Sequence, residues 1–238
     1  MSEQTTPNTP GPDQPTPDVH LYVLLDRSGS MAAMADDVIG GFNTLLAEQQ
    51  SDGHDARMTL VQFDGTDPHE VIADAVPIAE MTPLDAATFV PRGNTPLLDA
   101  TGRLLSMAAA RAQKRSADGL PAEEIVFVSI TDGHENASRE LSLATVRQLM
   151  DAHTAAGWTF VFLGAAPDVY GEAGGLGYDP RAVQSFAADG AGSTAAFASL
   201  SRATSAKRDL VRRAVRHDKG DFFVDKDAEE DRQRRRGA

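Results

Sequence analysis

Apolar residues in this chain follow two rhythms. VHLYVLL at 19–25, RMTLVQF at 57–63, EIVFVSI at 124–130 and WTFVFLG at 158–164 are short, nearly continuous apolar runs. That is the pattern of strands covered on both faces. Between them the spacing widens. From Met31 to Gln50, residues Met34, Val38, Phe42, Leu45 and Leu46 recur at three- and four-residue steps, which predicts a helix. Further helices are expected from Leu97 through LLDATGRLLSMAAARAQ, over 142–156, in a short piece over 168–174, and over roughly 192–215. AVQSF at 182–186 reads as one more strand, whereas HEVIADAVPIAEM at 69–81 alternates weakly and contains Pro77, which suits an edge strand or hairpin. Strands alternating with helices imply parallel pairing through right-handed crossovers. The expected fold is therefore α/β: a doubly wound, mostly parallel central sheet with helices on both faces and one antiparallel edge strand. No internal repeat is present.

The flanks differ from this body. Residues 1–18 hold five prolines among Thr, Asn, Gln and Asp, with nothing apolar to bury, and read as a disordered arm. The domain is expected over 19–215, followed by a charged, flexible tail over 216–238. Within that tail GDFFVDKDAEEDR either docks onto a partner or packs Phe222 and Phe223 back onto the domain; the second reading is favoured.

Charge narrows the function classes. Of the 22 Lys and Arg residues, half lie from Lys207 onward, so residues 1–206 carry 11 basic against 27 acidic side chains within a net charge of −13. A body this acidic repels phosphate backbones and anionic membranes, so neither nucleic acid nor a membrane is the expected partner. The terminal RQRRRGA directly follows DAEED and reads as a self-compensating run. No apolar stretch approaches the roughly 18 residues needed to span a bilayer, and the N-terminus has neither a basic start nor an apolar segment. A cytoplasmic location is the resulting expectation. The absence of cysteine removes disulfides and thiolate metal sites.

In open parallel sheets, ligands sit beyond the carboxyl ends of the strands. Three polar signals occupy such places. Asp26, Ser28 and Ser30 follow the first strand in LLDRSGSM, Thr95 precedes a long helix in PRGNTP, and Asp132 follows the third apolar run in SITDG. All are hard oxygen donors, and no HExxH pair accompanies them. Carboxylates with hydroxyls suit Mg²⁺ first, with Mn²⁺ or Ca²⁺ as alternatives. Alternate residues of an extended or turning segment point the same way, and Gly29 permits a tight turn between the serines. Two carboxylates roughly balance a dication, while neutral hydroxyls leave it short of electron density, so it should take one more anionic ligand from outside. Helix capping is the competing account of the serines, but it leaves Thr95 and Asp132 unexplained.

DRSGS at 26–30 resembles the DxSxS metal-ion-dependent adhesion site (MIDAS) of von Willebrand factor A (VWA) domains. The threonine of that motif maps onto Thr95 in RGNTPLLDA and its second aspartate onto Asp132 in TDG, and the likeness covers about 19–200. GGFN, VQFDG, PRGNTPLLDA and TDGHENAS look most like stand-alone bacterial or phage VWA proteins, including those of tellurite-resistance-type gene clusters. The resemblance implies a Rossmann-like VWA fold and a divalent cation held by Asp26, Ser28, Ser30, Thr95 and Asp132. It implies that both serines coordinate directly, while the threonine and the aspartates exchange direct for water-mediated contact. A protein partner's Glu or Asp then completes the octahedron. The expected function is a metal-dependent protein-interaction module with no catalytic residues. The alternative is a metal-assisted hydrolase or phosphatase at the same strand ends. It lacks support in two motifs: Ser28 stands where an aspartyl phosphatase needs its second aspartate, and GxSxG is absent. His134, Glu135 and Asn136 read as a solvated loop on the rim, Asp64 as a turn starter, and Asp99 as a carboxylate favoured by its helix dipole.

Overall fold

The computed structural model describes residues 18–213, 222, 223 and 225–236. The expected Pro-rich arm lies outside the described residues, apart from Asp18. β1 (Val19–Asp26) is buried along its whole length. It lies between β2 (Ala56–Phe63) and β4 (Glu124–Thr131), both parallel to it. β5 (Thr159–Gly164) and β6 (Val183–Ser185) continue the parallel run beyond β4. β3 (Glu70–Pro77) pairs antiparallel with β2, giving the order β3-β2-β1-β4-β5-β6. This is the doubly wound sheet with one antiparallel edge strand that the apolar blocks predict. β3 has an irregular register against β2, and Ala75 adopts a φ of 51° there. Its Pro77 stands at the end of this edge strand, where a missing N–H is tolerated.

Alternation along β1 divides the core in two. Val19, Leu21, Val23 and Leu25 join a cluster with α1 (Ala35–Ser51) and α5 (Gly190–Arg212). Tyr22 and Leu24 join a second with α2 (Leu97–Ala117), α3 (Leu143–Ala155) and α4 (Val169–Leu176). Burying each such aliphatic or aromatic side chain contributes about 1.5–3 kcal/mol. α1 and α5 meet where a side chain is missing: a Cβ on Gly41 of α1 would lie 2.5 Å from the Phe197 ring of α5.

Three segments differ from the sequence reading. The helix expected from Met31 is split, with a 3₁₀ segment over Gly29–Met34 preceding α1. Met31 and Met34, three residues apart, are both buried, which a three-residue period satisfies. α5 spans Gly190–Arg212, beginning two residues before the expected start, while the expected end at Val215 lies outside the described residues. Its start is capped by Asp189, whose side chain accepts from the Gly192 amide. Its end is held by the fully buried Arg208, which donates to the Gln49 and Gly53 carbonyls and pairs with Asp55. Lastly, the segment read as a flexible tail contains α6 (Asp227–Arg236), which packs against α5 and β6. Phe222 and Ala228 are buried in the core on the α1–α5 side, and Arg232 donates to the carbonyls of Ala165 and Ala166. Phe223 packs against the same cluster, so Phe222 and Phe223 dock onto the domain as favoured, although charge dominates the composition.

α1 follows the carboxyl end of β1 on one face of the sheet, and α3 follows the carboxyl end of β4 on the other. The carboxyl ends of β1 and β4 are therefore a topological switch point, where the connecting chains diverge and leave a crevice.

Candidate metal centre

β1 ends at Asp26, whose side chain is fully buried. Its Oδ1 accepts the Ser28 amide at 2.6 Å, an i to i+2 turn that bends the chain back over the strand end. Its Oδ2 accepts the Thr131 hydroxyl of β4 at 2.5 Å. Ser28 precedes the 3₁₀ segment at its N-cap position but makes no capping hydrogen bond with its side chain. Instead Ser28 Oγ lies 3.0 Å from Ser30 Oγ, and Ser30 Oγ donates to Asp132 Oδ1 at 2.7 Å. Each hydroxyl has one proton, so the chain of donation runs from Ser28 through Ser30 to Asp132.

Thr95 arrives from the loop before α2. Its amide donates to Asn136 Oδ1 at 2.9 Å, and the Asn136 amide returns a bond to the Thr95 carbonyl at 3.1 Å. A Cβ on Gly133 would lie 3.2 Å from Thr95 Oγ1 and 3.7 Å from Ser30 Oγ. The fold thus brings Asp26, Ser28, Ser30, Thr95 and Asp132 to one crevice from three separate loops.

Burial pushes Asp26 up to about 6 even though Thr131 and Ser28 hydrogen-bond its charged form. Burial also raises Asp132, against the bond from Ser30. Neither shift is governed by a neighbouring cation. The adjacent Arg27 turns away to pair with Asp64 and Glu70. A fully buried and a half-buried carboxylate beside hydroxyls, without a cationic side chain to balance them, form a donor set that fits a hard divalent ion. No group of three or more His, Asp or Glu side chains able to hold a metal occurs among the described residues. The neutral donors here are hydroxyls.

Residues beyond the five shape the crevice. Thr131 is fully buried and orients Asp26, and its place beside Asp132 in ITDG was the available signal. The loop read as solvated is ordered by its own side chains. Glu135 accepts from the amides of Leu98, Ala137 and Ser138, while its own amide donates to Glu172 of α4. Asp99 does more than complement a dipole: its carboxylate accepts the amides of Arg139, Glu140 and Leu141. These bonds lace the segment after Asp132 to the first turn of α2. Of the three rim residues, His134 and Asn136 are exposed and Glu135 is half-buried, with His134 Nδ1 3.4 Å from Glu172.

No protein-family model matches the chain, and no curated protein does. Solved structures do. The pilus adhesin SpaC from Lactobacillus rhamnosus GG, in its open conformation, aligns with a TM-score of 0.56 at 13% identity, over 84% of this chain and 31% of that one. Proximal thread matrix protein 1 from the mussel byssus aligns at 0.51 and 14% identity, over 76% of this chain and 46% of that one. Manganese-loaded TRAP protein from Plasmodium vivax aligns at 0.48 and 16% identity, over 76% and 72% respectively. The chain therefore spans less than half the length of the first two. At these identities the likeness is one of fold, and the fold is VWA-like. No helix among the described residues is long and apolar enough to cross a membrane.

Proposed function

We propose that this domain is a metal-dependent protein-interaction module. Asp26, Ser28, Ser30, Thr95 and Asp132 hold a divalent cation, Mg²⁺ first with Mn²⁺ or Ca²⁺ as alternatives, and a Glu or Asp side chain of a protein partner binds to it. The observation that carries this reading is the meeting of the fully buried Asp26 with the half-buried Asp132, neither paired with a cationic side chain, with the Ser28 amide and the Thr131 hydroxyl on Asp26 and the Ser28–Ser30 hydroxyl chain on Asp132. The bound ion would supply a positive charge that neutral hydroxyls leave open to one more anionic ligand. The five residues correspond to the MIDAS pattern in order, and a fold-mate is itself described as a pilus adhesin. The role assigned is binding rather than turnover.

Mn²⁺ binding followed by electron paramagnetic resonance tests the first half of the reading. Wild type should bind and Asp26→Ala should not; absence of binding to wild type, or equal binding to both, overturns the metal centre. Glutarate, a minimal carboxylate, tests the second half. It should displace water from the bound Mn²⁺ and lower the water-proton relaxivity, and no change in relaxivity overturns the acidic-partner chemistry.

A further inference from the structure

Asp64, the residue after β2, sits at the hub of three loops beside the crevice. Its carboxylate is fully buried and accepts four hydrogen bonds. Oδ1 takes the amides of Thr66 and Asp67 at 2.6 and 3.1 Å. Oδ2 takes Arg27 Nε at 2.7 Å and Arg92 Nε at 3.0 Å. Closing the turn requires only the first oxygen; the second is given wholly to two arginines.

Both arginines belong to the loops that carry the candidate ligands. Arg27 stands between Asp26 and Ser28, and Arg92 three residues before Thr95. The same loops are joined by their backbones, with the Arg92 amide donating to the Arg27 carbonyl at 2.8 Å and Gly29 to Gly93 at 3.0 Å. Glu70, at the start of β3, bridges the two guanidinium groups from outside. The loops approach so closely that a Cβ on Gly65 would lie 2.9 Å from the Asn94 amide nitrogen, and Gly93 adopts a φ of 68°. Asp132, by contrast, arrives from β4 and has no bond to this cluster among those of the described residues.

The geometry points to Asp64 as a positioning residue of the centre: through Arg27 and Arg92 it holds the Thr95 loop in register with the Asp26–Ser30 loop, so that cation affinity depends on a carboxylate that never touches the ion. This inference rests on the cation reading above. Residues that orient metal ligands at second hand are worth roughly 10–100-fold in affinity.

The test is a double-mutant cycle in Mn²⁺ affinity, measured by electron paramagnetic resonance well below the melting temperature of each variant. Asp64→Asn keeps an acceptor for the Thr66 and Asp67 amides but loses the anionic oxygen. It should weaken Mn²⁺ binding about tenfold or more. That loss should largely vanish in a Thr95→Ala background, because both changes remove the same contribution, and persist in an Asp132→Asn background. A folded Asp64→Asn protein with wild-type affinity, or full additivity with Thr95→Ala, overturns the inference. If Asp64→Asn does not fold, Arg92→Gln takes its place in the cycle under the same criteria. Should wild type bind no Mn²⁺, the cation reading falls, and the clamp is then judged by hydrogen exchange at the Gly29 and Arg92 amides. Faster exchange there in the Asp64 or Arg92 variant supports the clamp, and unchanged exchange overturns it.

Discussion

Asp26→Asn should stabilise the metal-free protein at neutral pH, an unusual outcome for a fully buried polar position. The folded-state value of Asp26 is about 6 against a reference of 3.8. A raised value means that the folded state holds the proton more tightly than the unfolded chain does. The associated stability is complete below the unfolded value and is lost as pH rises through about 6. About two pH units at 1.36 kcal/mol each correspond to roughly 3 kcal/mol. Asparagine carries no charge, so it avoids this loss, and its amide can still accept from Ser28 while donating to Thr131 Oγ1. Thr131 can then turn its hydroxyl toward the Gly133 carbonyl, 3.2 Å away. In EDTA at pH 7.5 the variant should therefore exceed wild type by about 1–3 kcal/mol, and the gap should close by pH 4. Adding Mg²⁺ should close the gap or reverse it, because only wild type binds: at a hundred times the dissociation constant the gain is about 2.7 kcal/mol. For a domain of this size that is a rise of roughly 5–11 °C in Tm. Urea unfolding at both pH values, with EDTA and with Mg²⁺, measures all four terms. Lower stability of Asp26→Asn at pH 7.5 in EDTA, or equal stabilisation of both proteins by Mg²⁺, refutes the reasoning.

Other outcomes follow from the same contacts. Thr131→Val preserves shape but removes the hydroxyl that donates to Asp26; Mn²⁺ titration should show weaker binding, and the pH dependence of urea unfolding should shift upward. Gly41→Val would press into the Phe197 ring, and urea unfolding should show a loss of about 1–3 kcal/mol or more from overpacking. Burial tends to raise Asp55, but bonds from Arg212 and Arg208 bring it down to about 2. Its stabilisation is therefore present above the reference value of 3.8 and lost as pH falls through about 2. Arg208→Met should weaken that acid limb, with Arg212 still holding Asp55, and cost about 3 kcal/mol in urea unfolding, because the Gln49 and Gly53 carbonyls and Asp55 lose their buried donor.

The legible parts of this protein were those whose signal is local. VHLYVLL and EIVFVSI have to be covered on both faces, and this set the sheet's class before any contact was known. Asp26, Ser28 and Ser30 stand out because they interrupt such a run within five residues. Asp64 and Asp99 were visible only as plausible turn and dipole residues. What they do depends on backbone amides some 40 positions away at Arg139–Leu141 and on guanidiniums from two other loops. The docking of Phe222 and Phe223 was legible from two aromatics in a charged segment, but α6 and its buried Ala228 were not, since a single small apolar residue leaves no periodic trace.

By itself, then, the sequence determined which segments must be buried, that the strands would run parallel, and which oxygens stood at strand ends. Those properties follow from side-chain periodicity and from the short reach of a turn. Only the tertiary structure decided that β1 lies beside β4, so that Ser30 meets Asp132 across 102 residues. It alone decided that Arg27 points to Asp64 instead of neutralising Asp26. The physical reason is that a buried carboxylate takes its charge balance and its hydrogen bonds from whatever the packed loops bring within about 3 Å, and neighbours in space leave no periodic mark along the chain.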